Sequence, residues 1–397
     1  MILSRSNTSY DAGFLLVSLA FFFRYVLDGI GLGIVGSLIL LIATVLLMLE
    51  KKEIIVSQRV FIFLFISGVI LLFSGFHVYV QYGTLKFFAL EVIRFATYIS
   101  AYILVRNGRI DFFKIYRLFL ILLCIQVPIL FFQKFGLGMD RPAGTLTNNN
   151  HLMYLTGLLL LLQFGLKRVP AFHFALPVSL LILLGGVGGA LFASIAIWIH
   201  ITMAVAIRGK AKAFIFQVLA IAMMSTVVFV HWDKIGYAIE SNTPEVVASR
   251  LEAGDRYGGG TIGARIFFWH YFSSQVFSEP MSTAIGLGSG AASNRSTYFA
   301  GWGSQDPHDE YVRVLTDYGL IGLGVFVAFW LSVVFGFLRS AIKRRSNGAL
   351  LAHSIVWFFL MGCTIANVFV QSTFMWLLIM LLPLMVRLPE REFRRFL

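Results

Sequence analysis

Asp306, His308, Asp309 and Glu310 crowd the end of the longest polar stretch of this chain, just before it runs back into apolar sequence. A histidine beside carboxylates can take up a proton, because the carboxylate orients the ring and stabilises its charged form. The same residues also read as a helix start, with Asp306 as cap and Pro307 at the first helical position. The two readings are compatible. A cap accounts for Asp306 but gives no reason for a histidine at this entrance, so His308 is the candidate base, with Asp309 and Glu310 beside it.

Arginines are the second group. Arg141, Arg250, Arg256, Arg265, Arg295 and Arg313 all fall in or next to polar connections. Guanidinium keeps its charge and offers paired donors, which suits a phosphate or diphosphate. Glu240, Glu245, Glu252, Asp255 and Glu279 could equally pair with several of them. Arg265, on an amphipathic stretch, and Arg141, beside a helix entry, are the picks for anion binding. Arg250, Arg256 and Arg295 read as structural. After Arg141 comes Pro142-Ala143-Gly144-Thr145-Leu146-Thr147-Asn148-Asn149-Asn150-His151. The amides of Asn148 and Asn150 suit sugar hydroxyls, although a helix cap accounts for at least one of the three asparagines.

A third group lies inside apolar sequence. Glu91 and Arg94 stand at i,i+3, with Arg24 further upstream. Charge inside a membrane is costly and faces a partner or a wet cavity; mutual neutralisation of Glu91 and Arg94 is the simpler reading. His77, His173, His200 and His353 lack neighbouring acids and read as packed or interfacial. No HxxxH, cysteine pair or DxD spacing is present, so no metal site and no cofactor are expected. Cys124 and Cys363 read as small buried hydrophobes.

The elements that must carry these groups follow from composition. Hydrophobic residues make up 58% of the 397, charged residues only 13%, and mean hydropathy is +0.84, far outside the soluble range. The class is an all-α, polytopic integral membrane protein. Reading each span as about 20 apolar residues gives about twelve: 12–28, 29–49, 59–76, 85–105, 112–134, 151–166, 171–186, 189–207, 212–230, 314–338, 349–370 and 372–388. No small-residue cleavage site follows the N-terminal polar segment, so no removable signal peptide is expected. The net charge of +13 does not point to nucleic acid. Roughly two thirds of the basic residues fall in alternate short connectors, such as 106–117, 208–212 and 339–345, as the positive-inside rule expects. Both termini are then cytoplasmic, and 77–84, 135–150 and 231–313 share the far side.

The chain reads as a single membrane domain, 1–397, with 231–313 as one long periplasmic or extracellular loop. Within it, Thr243–Leu251 has helix-start chemistry, Gly258-Gly259-Gly260 is a break, and Ile262–Phe277 is an amphipathic helix suited to a membrane surface and ended by Pro280. Gly286-Leu287-Gly288-Ser289-Gly290 is a turn-rich segment. The gathering of polar groups on one side, and the lack of an internal repeat, count against a transporter.

The loop resembles the O-antigen ligase/polymerase superfamily. The resemblance rests on Gly263-Ala264-Arg265-Ile266-Phe267-Phe268-Trp269, then Glu279-Pro280 and the Gly286–Gly290 turn. It continues through Pro307-His308-Asp309-Glu310-Tyr311-Val312-Arg313 and Tyr318-Gly319-Leu320-Ile321-Gly322. Arg141-Pro142-Ala143-Gly144-Thr145 is similar to the family's upstream Arg-Pro-Ser-Gly-Thr. The similarity covers roughly 135–325, with order and spacing carrying more weight than any single piece.

That resemblance implies a GT-C-like fold and a metal-independent glycosyltransferase of the bacterial inner membrane, its active site facing the periplasm. The donor would be an undecaprenyl-diphosphate-linked glycan and the acceptor a lipid-linked glycan. Membrane lipids surround the protein, and a chain-length regulator is a partner such enzymes can have. It implies that His308 assists the acceptor hydroxyl and that Arg265 holds the diphosphate. Trp269, Arg141, Asn148, Asn150, Asp309, Glu310 and Arg313 would surround the substrate. The sequence departs from the family in two places. Asp309 replaces the usual Asn, and Gly185-Gly186-Val187-Gly188-Gly189 stands where many members have Ser-Arg-Gly. A second cation would then come from Arg141 or Arg313. The expected activity is therefore repeat-unit polymerisation into O-antigen, capsule or exopolysaccharide, with ligation to lipid A–core as the alternative.

Overall fold

The computed structural model describes residues 8–51, 53–82, 85–108, 110–139, 143–146, 149–166, 180, 187–207, 209, 245–246, 249, 269, 271–292, 309–364 and 372–393. About 85% of the described residues are helical, and they contain no strand. In order they are α1 (Thr8–Val26), α2 (Gly33–Glu50), α3 (Gln58–Tyr82), α4 (Lys86–Asn107), α5 (Phe112–Phe131), α6 (Asn149–Gly165), α7 (Val187–Ile207), the short α8 (Pro280–Ile285), α9 (Glu310–Arg344), α10 (Asn347–Cys363) and α11 (Ser372–Val386). Five stretches among the described residues are long and apolar enough to cross a membrane, namely Gly33–Glu50, Val60–His77, Phe88–Asn107, Phe112–Gly136 and Glu310–Arg344. Shorter apolar helices accompany them. The expected spans 171–186 and 212–230 lie outside the described residues, apart from position 180. Each of the other expected spans overlaps a helix.

Helices α6, α10 and α11 form the centre of the bundle. Tyr154, Phe358, Phe374 and Trp376 are fully buried there, and a helix apolar all round belongs in such an interior. Its polar edges find partners: the Tyr154 hydroxyl donates to the Gly362 carbonyl at 3.0 Å, and Trp376 Nε1 donates to Thr97 Oγ1 on α4 at 3.1 Å. Helix α3 is peripheral. Phe61, Phe65, Leu72, Phe73 and Phe76 project outward from it, a surface that suits hydrocarbon rather than water.

The segment after α5 is fixed by two glutamines. A π-helical turn, Phe132–Gly136, follows α5. Gln133 Oε1 accepts from the amides of Ala143 and Gly144 at 3.1 and 2.8 Å. Buried Gln126 accepts from the Thr145 amide at 2.8 Å and donates to the Tyr25 carbonyl of α1 at 3.2 Å. Gly144 has φ +67, and a Cβ there would lie 2.2 Å from Gln126 Oε1, so only glycine lets this turn close. The Gly-Thr pair of the upstream motif thus ties the α5–α6 connection to α1. Arg24 near the end of α1 pairs with Asp28 at 3.4 Å.

Candidate functional site

The polar loop meets the bundle at the start of α9. Asp309 is the N-cap, its carboxylate accepting from the Val312 amide at 2.9 Å. The cap is therefore three residues later than the expected Asp306. Asp309 has the extended backbone and the reach to the third helical amide that capping needs. His308 directly precedes this cap in sequence.

Glu310, Arg313 and Asp317 follow at steps of three and four and so share one face of α9. That face is buried, with side-chain exposures of 0%, 3% and 1%. Arg313 Nε and Nη2 both donate to Glu310 Oε1, at 2.7 and 2.5 Å, while Nη1 donates to Asp317 Oδ2 at 3.1 Å. Nη1 also lies 3.5 Å from Glu91 Oε1 on α4, and Glu91 binds Arg94 of its own helix. Glu91 therefore does more than neutralise Arg94. It joins two guanidiniums and ties α4 to α9. Buried charges are tolerable only when paired and hydrogen-bonded on this scale.

Just beyond the cluster α9 breaks at Gly319, where φ is +65 and ψ −166. The carbonyls ahead of the break turn to the loop: Thr316 O accepts from Leu287 N at 2.7 Å and Asp317 O from Gly288 N at 3.1 Å. Gly286, Gly288 and Gly290 all have positive φ. The Asp317 carboxylate accepts from the Ala292 amide at 3.0 Å while its other oxygen holds Arg313. Ser74 of α3 accepts from the Ser289 amide at 2.5 Å and donates to Ser289 Oγ at 3.1 Å, which in turn donates to the Tyr318 hydroxyl at 3.0 Å. One glycine-rich turn is thereby fastened to α9 and α3 together.

The approach to this turn differs from the expectation at Pro280. Residues 271–276 are helical, and the chain turns at 277–279. Pro280 then opens α8 rather than ending the preceding helix, since its missing N–H and fixed φ suit the first helical position. Ser282 Oγ reaches back to the Val276 and Glu279 carbonyls at 2.7 and 2.9 Å, which satisfies the end of the earlier helix.

Below the cluster, α3, α4 and α9 enclose a crevice of about 70 Å³. Phe63, Ile70, Leu71, Phe95 and Phe326 form its apolar wall, and Glu91, Arg94 and Arg313 its charged end.

Of the residues singled out by sequence, Asp309, Glu310 and Arg313 come together here. Glu310 meets Arg313, and Arg313, which also borders the crevice, is held by three carboxylates, so in this arrangement the two position α4 and α9. Trp269 is half-buried, with its indole N–H lacking a partner among the described residues. Asn150 lies in the first turn of α6. His308, Arg265, Arg141 and Asn148 lie outside the described residues, as do Asp306, Arg250, Arg256 and Arg295. Asp317, Ser289 and Ser74 belong to the junction but drew no assignment from sequence. Asp317 had a legible signal, four residues beyond Arg313 on the same face. Ser74, a lone hydroxyl in an apolar run, had none.

The fold and this junction define a helical, membrane-embedded protein with a polar loop seated on a broken helix. Comparison with protein-family models and with curated proteins finds no match to the chain in either.

Proposed function

We propose that this protein is a membrane glycosyltransferase that polymerises undecaprenyl-diphosphate-linked repeat units into O-antigen, capsule or exopolysaccharide at the outer face of the bacterial inner membrane. The observation that carries the reading is the meeting of two separated motif pieces. The Gly286–Gly290 turn and the Asp309–Gly322 run, which starts one residue after His308, share backbone hydrogen bonds at the kink of α9. Such an arrangement gives an active-site loop a rigid base, which precise positioning of a reacting group requires. The outward apolar surface of α3 suits a substrate with a long isoprenoid tail.

In this reaction the acceptor hydroxyl oxygen attacks the anomeric carbon of the donor glycan. A new glycosidic bond forms, the bond from that carbon to the diphosphate oxygen breaks, and the bonding pair leaves with the diphosphate. His308 accepts the hydroxyl proton, and Arg265 stabilises the charge gathering on the leaving group. Glu310, Arg313 and Asp317 hold the helix on which this chemistry is mounted.

The test is chain extension by purified protein with lipid-linked repeat units, run with and without a chelator. Wild type should build a ladder of products in both conditions, and His308→Ala and Arg265→Ala should give none while remaining abundant in the membrane. Normal chain lengths from either variant would remove that residue from the mechanism. Loss of activity under chelation would remove the metal-independent reading. In cells, deletion should leave single-repeat material on a gel; accumulation of free long chains would instead favour ligation.

A further inference from the structure

At the opposite end of α9 from the polar loop, the turn into α10 encloses a second cavity of about 250 Å³. Its floor is apolar, formed by Ala204, Ile207, Ala341 and Leu350, and its rim carries Arg345 and Ser346. Arg339, Lys343 and Arg344 lie on the same end of α9, and no ion pair joins any of these four cations to a described acid. Glu390 reaches the neighbourhood, but its carboxylate accepts from Asn347 N at 3.1 Å and Asn347 Nδ2 at 2.8 Å. That carboxylate keeps its charge, since both donors are neutral amides, but four cations at this end outnumber it and the rim is net cationic.

Arg345 adds a second, independent sign. At φ +48 it is the one described non-glycine residue with positive φ. Glycine is the natural occupant of such a helix C-terminal position. An arginine there strains the backbone, and it stands exposed at the mouth of the cavity. Strain held at a charged, concave surface is characteristic of a binding role.

We infer that this pocket binds the headgroup of an anionic glycerophospholipid, with Arg345 contacting the phosphate and Lys343 and Arg344 drawing the lipid to it. The size argues for a headgroup. Sites that enclose a whole small molecule run to roughly 300–1,000 Å³, and this cavity is smaller, so tails would stay in the bilayer along the apolar surface of α9. Its position fits as well. The 25 residues of α9 after the break, 320–344, cover about 37 Å at 1.5 Å each, enough to cross a hydrocarbon core of about 30 Å, so an end opposite the polar loop emerges at the other membrane surface. Basic pockets between helices at that level attract anionic lipid by charge and desolvation together. The inference stands apart from the proposed glycosyl transfer, since it concerns the other face of the bundle.

Arg345→Gly provides the decisive test, because it removes the charge while supplying the residue the backbone prefers. The full chain in detergent is titrated with phosphatidylglycerol or phosphatidylcholine, and the thermal unfolding midpoint is followed with binding of a fluorescent phosphatidylglycerol. Wild type should be stabilised by phosphatidylglycerol and not by phosphatidylcholine. Arg345→Gly should unfold at the same or a higher midpoint without lipid, yet bind about five-fold more weakly, as expected for one surface charge. Arg345→Asn, also compatible with positive φ, should show the same loss. Undiminished binding by both variants, equal stabilisation by phosphatidylcholine, or full stabilisation by inorganic phosphate alone would each overturn the assignment.

Discussion

A Cβ placed on Gly286 would lie 2.5 Å from the amide nitrogen of Gly319, and one placed on Gly319 would lie 2.4 Å from the Ala284 carbonyl oxygen. The polar loop and the broken helix therefore meet backbone to backbone, with no side chain between them. Both residues have positive φ, +79 and +65. Neither contact nor conformation leaves room for another residue.

Gly319→Ala and Gly286→Ala should each destabilise the protein by about 1–3 kcal/mol, through backbone strain and overpacking. Both should also abolish glycan extension, because the loop loses its seat. Gly324, with nothing within 4 Å of its Cβ position, is the control. Gly324→Ala should be neutral or stabilising by up to about 1 kcal/mol in this helix. Thermal unfolding in detergent ranks the three, and equal midpoints would remove the junction from the argument.

Arg313→Met takes from Glu310, Asp317 and Glu91 the cation they share, leaving Glu91 with Arg94 and Asp317 with the Ala292 amide, and should cost about 3–5 kcal/mol. Adding Glu310→Met removes one stranded charge and should restore part of the loss. A double-mutant cycle on unfolding midpoints gives the coupling directly. Additive effects would mean that the two residues do not form a unit.

Asp317→Ala severs both the Ala292 amide and the Arg313 guanidinium. Amide hydrogen exchange across 286–292 should rise by at least about ten-fold, the equivalent of about 1.4 kcal/mol of lost local stability. Exchange across α6, remote from the junction, should not change. Protection of 286–292 identical to wild type would show that the carbonyl contacts alone hold the turn.

Gln126→Ala should leave the Thr145 amide without its acceptor and take from the Tyr25 carbonyl one donor, the Thr145 hydroxyl remaining, at about 1–3 kcal/mol for the buried amide that water does not reach. Gln126→Glu keeps the acceptor but buries a charge, and should fare no better. A thermal shift within error of wild type for both variants would refute the anchoring role assigned to this side chain.

Read from residues alone, the cluster at α9 is a histidine among acids, and the shared charged face is no part of that reading although the spacing allows it. Glu310, Arg313 and Asp317 repeat at three and four, so their common face follows from helical periodicity. Glu91 and Arg94 were legible as a pair for the same reason. Their link to Arg313 was not, because it joins two helices far apart in sequence. Pro280 shows the opposite failure. A proline can end one helix or begin another, and the choice here depended on Ser282 reaching back to Val276.

Sequence by itself determined that the chain is helical and membrane-embedded, since about 20 consecutive apolar residues must satisfy their own backbone hydrogen bonds in hydrocarbon. It also marked the two glycine-rich segments and the intramembrane charges as exceptional. Only the tertiary structure decided that those glycines face one another and that Arg313 is shared among Glu310, Asp317 and Glu91. Hydropathy is a local sum along the chain. A close backbone contact or a buried ion pair exists only once distant helices have packed.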